Sequence, residues 1–488
     1  MNAIHSDSVK KNFLYQSSYQ LLSLVLPLIT APYISRVLGA AGTGVYSYAS
    51  SILYYFMIAA NLGITNYGNR EIASNLNNKG NLSRSFWSIF FCHAFFSILS
   101  TIAYYAYVFA FVKEYRVVFL WQSIQMFATL FDITWFFSGI QIFKVTVLRN
   151  FVVRLLTVVS IFVFIKTSDD IWKYLAILAI GNFIGQISVW TQLRKYISFE
   201  RVSVKSIIKH IIPMLVLFVP VIAISIYRYM DKIMIPYFSN MTELGLYENS
   251  EKIVSLPLTI ITTVGVVMLP KMSALASNGN SIERDRYINY AMKYSLVMAF
   301  GIAGGLFGIS DIFAPLFFGE EFRRSGELIS LLAVTILFLT WSNSIRSQYL
   351  IPNKKDSAFI VAAFSGAGVN LLLNVFLISR LGAKGAVYAT IAAEFVVAII
   401  HTLYSYKELK FVTIIKSSFV LVVPAIIMGF FVRTIGLLLG EHYSTLVLQI
   451  VLGALLYLLC ALCILIIQKD QYVCSIINRI CKRTNKIG

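Results

Sequence analysis

Charged residues are scarce in this chain: they make up 13% of its 488 residues, whereas 58% are hydrophobic. A soluble protein carries roughly a quarter charged residues, so the composition excludes an ordinary soluble enzyme. Histidine and cysteine are also few, at five each, and the histidines have no metal-ligand spacing. No Gly-Lys dipeptide occurs, which excludes the phosphate-binding loop of an ATPase. We therefore expect no metal, no cofactor and no catalytic residue, and we predict that the protein is not an enzyme.

Most of the chain consists of long apolar runs. The mean hydropathy is +0.75, and apolar stretches of about 20 residues, separated by short polar breaks, cover most of the chain. This pattern predicts an all-α polytopic membrane protein with about 14 transmembrane helices. We place them at residues 12–38, 43–65, 85–111, 117–138, 145–166, 171–192, 211–232, 244–270, 292–315, 327–349, 358–379, 385–405, 417–438 and 446–468.

Lysine and arginine are unevenly divided among the predicted loops. They concentrate on the side of the N-terminus, which the positive-inside rule assigns to the cytoplasm. We therefore predict a multi-pass protein of the bacterial plasma (inner) membrane with both termini in the cytoplasm. The formal net charge of +19 then reflects topology and not nucleic-acid binding. The basic end from Asn478 to Lys486 is interpreted as a contact with anionic membrane lipids.

A glycine-tyrosine motif recurs along the chain. Gly44-Val-Tyr46 opens the second predicted helix and Gly245-Leu-Tyr247 opens the eighth. A looser third version, Arg380-Leu-Gly-Ala-Lys-Gly-Ala-Val-Tyr388, lies between the eleventh and twelfth. The helix before each of the first two copies carries two prolines. Parallel repeats of this kind build two-lobed transporters. We predict an N-terminal lobe of six helices in residues 1–210, a C-terminal lobe of six helices in 211–416, and two further helices with a basic cytoplasmic tail in 417–488.

Four stretches carry a resemblance to a known family. They are Lys11-Asn-Phe-Leu-Tyr-Gln16, Pro32-Tyr-Ile-Ser-Arg36-Val-Leu-Gly39, Asn66-Tyr-Gly-Asn-Arg70-Glu-Ile-Ala73, and Asp231-Lys-Ile-Met-Ile235 followed by Gly245-Leu-Tyr-Glu-Asn-Ser-Glu-Lys-Ile253. With the span number and the repeat, they make the chain similar to the polysaccharide transport family. These are the Wzx-like oligosaccharide flippases of the multidrug/oligosaccharidyl-lipid/polysaccharide exporter superfamily.

The resemblance implies a function and a set of partners. Members of the family move polyprenyl-diphosphate-linked oligosaccharide repeat units from the cytoplasmic to the outer leaflet, for capsule, O-antigen or exopolysaccharide assembly. The implied partners are that lipid-linked oligosaccharide, membrane lipids, a glycan polymerase and glycosyltransferases. Our hypothesis for the mechanism is alternating access.

Such a substrate needs cations inside the membrane, where a diphosphate can be stabilised. The candidates for a cationic, substrate-binding cavity are Arg346, Lys252, Arg36, Arg228 and Lys232. We interpret Lys252 and Arg346 as the cations that lie within spans, and the other three as lying near external ends. The alternative is structural: Asp231 with Lys232, and Glu248 with Lys252, form pairs that lock helices together.

Uncharged polar residues give a weaker signal. Pairs that share one helix face suit sugar hydroxyls, but interhelical hydrogen bonding uses the same residue types. These pairs are Asn370 with Asn374, Ser344 with Gln348, and Asn182 with Gln186. Asp132 and Glu394 are isolated acids in or near spans and are candidates for ion coupling.

Two rival functions remain open. An ion-coupled drug or metabolite antiporter of the same superfamily would need an acidic site in the first lobe, whereas the first helix has no acid and ends in Arg36. A membrane-embedded glycan polymerase would need a large external loop or a histidine-centred site, and the sequence offers neither.

Overall fold

The computed structural model describes residues 2–76, 78–277, 281–409, 411–470 and 473–475, and none of these lies in a strand. The α-helices are α1 (Asn2–Asn61), α2 (Ile64–Ser74), α3 (Lys79–Phe111), α4 (Arg116–Gln122), α5 (Ile124–Leu130), α6 (Thr134–Gly139), α7 (Phe143–Phe164), α8 (Ile171–Leu193), α9 (Val204–Ile208), α10 (Ile211–Phe238), α11 (Met241–Ser277), α12 (Ser281–Phe318), α13 (Arg323–Leu332), α14 (Thr335–Ile345), α15 (Asp356–Leu381), α16 (Ala383–Ser405), α17 (Phe411–Ser418), α18 (Val422–Leu439) and α19 (Tyr443–Ile467). Between α14 and α15 lies a π-helical turn, Arg346–Leu350. The prediction of an all-α protein is confirmed for the described residues.

Many of these helices are long and apolar enough to cross a membrane. Within the described residues 11 qualify, or up to 12 if the bent pair Glu320–Leu332 and Thr335–Leu350 forms one span. The polytopic character is therefore confirmed, while the number of about 14 remains a prediction. The first two predicted helices are continuous in α1, where the expected break appears at Gly39 as a left-handed φ of 68°.

The chain folds into two compact units, Met1–Gly245 and Leu246–Gly488. Unit 1 is built around an aromatic cluster in which Phe86 stacks on Trp135 with ring centroids 5.4 Å apart. Both rings are almost fully buried, and burial of such large side chains dominates core energetics. Gly68 of α2 lies flat against Trp135, where an added β-carbon would approach the indole to 2.5 Å.

The glycines of the first two motif copies, Gly44 and Gly245, are sites of close backbone approach within unit 1. A β-carbon at Gly44 would lie 1.8 Å from the carbonyl oxygen of Met241, and a β-carbon at Gly245 would lie 1.9 Å from that of Ala40. Only glycine allows two backbones to approach this closely. The repeated glycine is therefore a packing requirement at both copies.

In unit 2, α18 packs on α12 through small residues. A β-carbon at Gly304 would lie 2.5 Å from the carbonyl oxygen of Ala425, and one at Gly308 would lie 2.9 Å from that of Gly429. Close approach through small residues is the usual way that membrane helices associate. The contact fixes α18 against α12.

A buried ion pair holds the end of α19 to α12. Lys293 Nζ donates to Asp470 Oδ2 at 2.7 Å, and the Tyr294 hydroxyl donates to Asp470 Oδ1 at 2.7 Å. Both charged side chains are buried. The basic stretch 478–486, predicted to contact lipid, lies outside the described residues.

Candidate functional site

Arg346 lies where α14 gives way to the π-helical turn. Its Nη2 donates to Asn343 Oδ1 at 2.9 Å, and its Cζ lies 5.3 Å from the ring centroid of Phe359 on α15. Its buried Nε has no hydrogen-bond partner among the described residues. No carboxylate of those residues forms an ion pair with it. π-helical turns are rare and occur frequently at functional sites, so the turn presents a cation whose hydrogen-bonding capacity is only partly used.

Two further buried polar side chains of unit 2, Gln348 in the turn and His401 on α16, also have polar atoms without a partner among the described residues. α16 is held beside α14 by a hydrogen bond from Trp341 Nε1 to Thr402 Oγ1 of 2.8 Å, and His401 is the neighbour of Thr402. In the described part of unit 2, neither ring nitrogen of His401 and neither amide atom of Gln348 has a hydrogen-bond partner. Each unsatisfied buried group costs about 1–3 kcal/mol. Most buried polar groups have a partner in the protein or in ordered water, so polar atoms without a protein partner give this region the capacity to bind water or a polar ligand.

Lys252 differs from Arg346 because it has an acidic neighbour. Its Nζ lies 3.9 Å from Glu248 Oε1, one turn earlier on α11, and its side chain is 31% exposed. The predicted pair of Glu248 with Lys252 therefore forms. The distance between Nζ and Oε1 is at the upper limit for an ion pair. The charge of Lys252 is therefore only partly neutralised by Glu248, and its side chain remains accessible.

The predicted sugar-binding residues fall into two places. Gln348 and the buried Ser344 lie with Arg346 on α14 and the π-helical turn. The other two form a pair on α15, in which Asn374 Nδ2 donates to Asn370 Oδ1 at 3.0 Å. Asn370 lies eleven residues beyond Phe359, which at 1.5 Å per residue is about 16 Å along the helix. The two asparagines therefore do not join the Arg346 group.

The remaining cations that the sequence analysis proposed lie in unit 1. Arg36, just before the break at Gly39, and Arg228 on α10 are both exposed. The Lys232 Nζ lies 5.7 Å from the ring centroid of Tyr229 on the same helix. Arg228 and Lys232 are four residues apart and therefore share one face of α10, whereas Arg36 lies on α1.

The two proposed ion-coupling acids have different surroundings. Asp132 Oδ1 accepts hydrogen bonds from the backbone N–H of Thr134 at 2.8 Å and from the Thr134 hydroxyl at 2.6 Å. These two hydrogen bonds close a local turn at the start of α6. Glu394 is buried in α16, seven residues and therefore about 10 Å before His401. In the described residues no group of three His, Cys, Asp or Glu side chains is arranged to hold a metal ion.

Two arginines inside a helix of unit 1 were not among the predicted site residues. Arg149 and Arg154 lie within α7, so the interpretation that only Lys252 and Arg346 lie within spans is corrected. Arg149 Nη1 donates to Gln186 Oε1 on α8 at 2.8 Å, and its Nε donates to Asn150 Oδ1 at 2.9 Å. The signal was available, because both arginines fall inside the predicted span 145–166.

Long apolar helices in two compact units, with cations inside several of them, define a multi-pass helical membrane protein. The model of the family described as polysaccharide biosynthesis protein matches residues 9–276. This is more than half of the sequence, so the chain belongs to that family. The model of the lipid II flippase MurJ matches residues 143–457. The resemblance carried by the four sequence stretches is thus confirmed.

Related proteins agree with this assignment. The chain is 25% identical over 295 residues to a "Putative O-antigen transporter" of Shigella dysenteriae, an alignment of 59% of this chain and 73% of the relative. It is 20% identical over 400 residues to a protein of the same description in Escherichia coli (strain K12), covering 79% and 94% of the two chains. Among solved structures, the inward closed lipid II flippase MurJ matches with a TM-score of 0.76 and 14% identity, over 94% of this chain and 100% of that chain. An inward-facing multidrug resistance MATE transporter matches with a TM-score of 0.61 and 12% identity, over 81% and 99%. At these identities the structural likeness concerns the fold alone.

Proposed function

We propose that the protein moves polyprenyl-diphosphate-linked oligosaccharide repeat units from the cytoplasmic to the outer leaflet of the bacterial plasma membrane, by alternating access. The observation that carries the proposal is Arg346, a guanidinium inside a broken helix that no described carboxylate neutralises. Arg346 lies four residues before Leu350, the end of the π-helical turn, in a helix pair that is apolar enough to form a span. Arginines within transmembrane segments usually serve a substrate or ion pathway. The family membership and the names of the relatives support the same function.

The chemistry of the Arg346 region suits a diphosphate headgroup. The planar guanidinium matches two phosphate oxygens at once, and it has donors that protein acceptors leave free. Gln348 and His401 add buried polar atoms without partners, which suit phosphate oxygens or sugar hydroxyls. Lys252 lies thirteen residues, or about 20 Å, before Gly265, the α11 residue that faces Ser347 and Asn343, so it is a separate candidate contact on the path of the substrate.

The direction of transport follows from charge. Because the membrane potential of a bacterial cell is negative inside, it favours the outward movement of an anionic headgroup. That movement is favoured by about 2.3 kcal/mol per charge at 100 mV. The buried Glu394 remains our candidate for a coupled ion. Asp132 has a sufficient local role at the start of α6.

The test is translocation of a diphosphate-linked glycolipid by purified variants in liposomes. Arg346→Ala and Lys252→Ala are measured singly and together, with Arg380→Ala, an exposed arginine at the end of α15, as the matched control. A hydrogen bond to a charged group contributes about 1.5–3 kcal/mol, so Arg346→Ala should slow translocation about 10- to 100-fold. Lys252→Ala should have a smaller effect because Glu248 already shares its charge. Wild-type rates for Arg346→Ala would remove this arginine from the mechanism.

A further inference from the structure

Two cavities of unit 2 follow one another along the same helices. The first is polar, has a volume of about 500 Å³ and lies towards the C-terminal ends of α12 and α18. The second has a volume of about 340 Å³, is lined almost entirely by apolar side chains and precedes the first in both helices. They adjoin where Phe307, which lines the apolar cavity, has its ring centroid 5.0 Å from Cζ of Arg433, which lines the polar one. We call the two cavities together the α12–α18 groove.

α12 forms the floor of this groove. Its lining residues recur at spacings of three and four and therefore share one helix face; they are Phe300, Gly304, Phe307 and Asp311. α12 touches both neighbouring helices closely. A β-carbon added at Gly304 would lie 2.5 Å from the carbonyl oxygen of Ala425 on α18, and one added at Gly326 on α13 would lie 2.7 Å from that of Ser310 on α12.

The walls of the groove change from polar to apolar in the same direction as the floor. On α18 the lining residues of one face run from apolar to polar and are Ile426, Phe430 and Arg433. On α13 and the start of α14 they run from polar to apolar and are Arg324, Glu327, Val334 and Leu337. All three helices therefore place charge at one end of the groove and hydrocarbon at the other.

The length of the groove matches one leaflet of a membrane. From Phe300 to Asp311 it follows α12 for eleven residues, which is about 16 Å. From Val422 to Arg433 it follows α18 for the same number of residues. One leaflet holds half of a hydrocarbon core that is about 30 Å thick. A lipid chain in the groove would therefore reach about as deep as its neighbours in the bilayer.

An exposed tyrosine marks the membrane surface beside the polar end. The hydroxyl of Tyr443 donates to the carbonyl oxygen of Leu316 at 2.8 Å, and its side chain is exposed at the start of α19. Tyrosine is enriched at membrane–water interfaces. Leu316 lies five residues, or about 8 Å, beyond Asp311 on α12. The polar cavity therefore lies just inside the interface, at the depth of lipid headgroups.

The polar end holds charges of both signs in equal number. Three arginines and three acids line it; they are Arg323, Arg324, Arg433, Asp311, Glu327 and Glu441. Arg433 forms an ion pair with Asp311, and Arg323 Nη2 donates to Glu441 Oε2 at 2.7 Å. A guanidinium has five N–H donors, so a paired arginine can still donate to phosphate. This balance of charges is complementary to a zwitterion.

One buried acceptor in the polar cavity has no donor. Gln449 of α19 lines the cavity and is only 1% exposed. Its Nε2 donates to the carbonyl oxygen of Val432 at 2.8 Å, whereas its Oε1 has no hydrogen-bond partner among the described residues. Buried acceptors are rarely left without a donor. The cavity therefore suits a ligand that carries N–H groups as well as phosphate.

We propose that the α12–α18 groove binds one zwitterionic phospholipid with a primary ammonium group, phosphatidylethanolamine. Its phosphate accepts hydrogen bonds from Arg433, its ammonium donates to Gln449 Oε1, and one acyl chain lies in the apolar cavity. The predicted topology, with the N-terminus in the cytoplasm, makes this a lipid of the outer leaflet. The bound lipid is a component of the bilayer and not the transported substrate, so the inference does not depend on the proposed function.

The first experiment measures which lipid binds. The full chain is purified in detergent, delipidated and titrated with phosphatidylethanolamine, phosphatidylcholine, phosphatidylglycerol or polyprenyl phosphate, and bound lipid is counted by native mass spectrometry. We expect one phosphatidylethanolamine per chain, with a Kd at least 10-fold lower than for the other three. A quaternary ammonium has no hydrogen to donate, and the two anionic lipids have no cation for the acids or for Gln449.

Three results would overturn the proposal. Equal affinity for the three phospholipids would show non-specific lipid at the protein surface. Tighter binding of phosphatidylglycerol or polyprenyl phosphate would show that the occupant is an anionic lipid. Dimers that carry no lipid would show that a second copy of the chain covers the groove.

The second experiment locates the bound lipid with variants of both ends of the groove. Arg433→Gln removes the phosphate contact, and Ala303→Phe fills the apolar cavity that Ala303 lines. The matched controls are Arg380→Gln, an exposed arginine at the end of α15, and Val423→Phe, which adds the same ring at an exposed position of α18 outside the groove. Each of the first two variants should weaken phosphatidylethanolamine binding about 10- to 100-fold, and the controls should bind like the wild type.

A conservative variant separates the headgroup contact from a loss of folding. Arg433→Lys keeps the charge without the planar fork and should bind phosphatidylethanolamine more tightly than Arg433→Gln. Size-exclusion chromatography checks that each variant is folded. If Arg433→Gln does not fold, the comparison of Arg433→Lys with the wild type and the Ala303→Phe result decide. Wild-type affinity in a folded variant of either end would overturn the placement of the lipid in this groove.

Discussion

Removing one partner of the buried pair Lys293–Asp470 should destabilise unit 2 strongly. The two charged atoms are 2.7 Å apart, and the side chains are only 11% and 4% exposed. Deleting one member of a buried pair costs about 3–5 kcal/mol, because the other charge is left without a counter-ion. For a unit of this size, 1 kcal/mol corresponds to about 2–4 °C in Tm. Asp470→Ala should therefore lower Tm by about 6–20 °C.

The assay is thermal unfolding of purified protein, with a double variant as the control. Replacing both partners, as Lys293→Met with Asp470→Leu, removes the pair without leaving a buried charge, so this protein should be nearly as stable as the wild type or more stable. If Asp470→Ala unfolds within 2 °C of the wild type, or if the double variant loses as much as the sum of the two single variants, the reasoning from burial is wrong.

The same pair predicts the effect of acid. Burial by itself would raise the pKa of Asp470, but hydrogen bonds from Lys293 and Tyr294 hold that pKa below its ordinary value of 3.8. A carboxyl whose pKa is lower in the folded state contributes stability above its unfolded pKa and loses it as the pH falls. The Tm difference between the wild type and Asp470→Ala should therefore shrink below about pH 4.

Two further predictions concern unit 1. Gly44→Ala and Gly245→Ala each force a β-carbon into a backbone carbonyl and should lower the free energy of unfolding by about 3 kcal/mol or more. The control Gly305→Ala, in unit 2, meets nothing within 4 Å and should be neutral or slightly stabilising. Equal yields of folded protein for all three variants on size-exclusion chromatography would contradict the packing account. Burial, and to a smaller extent the charge of Lys209, lowers the pKa of His210 from an ordinary 6.5 to about 4. Because the unfolded chain then binds a proton more readily than the folded protein, the stability is complete above pH 6.5 and should fall by roughly 1–3 kcal/mol on acidification to pH 4. His210→Gln should remove that loss, and a Tm that falls equally with pH in this variant would refute it.

The helical membrane fold was predictable because it depends on composition and run length. The motif at Gly44 and Gly245 was visible as a repeat, but its reason was not, since the close approach of two backbones depends on tertiary packing. The Lys293–Asp470 pair joins residues 177 positions apart, and local patterns cannot reveal such pairing. The π-helical turn after Ile345 was equally inaccessible, because no local residue pattern specified it.

The candidate site was predictable only in part. The place of Arg346 in an apolar run is visible in the sequence, but the unsatisfied groups of His401 and Gln348 depend on how α14 and α16 pack. Arg149 and Arg154 escaped attention because α7 is apolar enough to be recognised as a span despite them. Asp132 looked isolated in sequence, although a threonine two residues later makes it the start of a turn.

The central claim is that the protein moves a lipid because of its anionic glycan headgroup. The most direct measurement compares two glycolipids in liposomes that contain the purified wild-type protein. One is a polyprenyl-diphosphate oligosaccharide, and the other carries the same oligosaccharide on the same lipid without phosphate. The account predicts that the diphosphate form crosses much faster than in protein-free liposomes and that the phosphate-free form does not. Equal rates for the two lipids, or rates no faster than in protein-free liposomes, would contradict it.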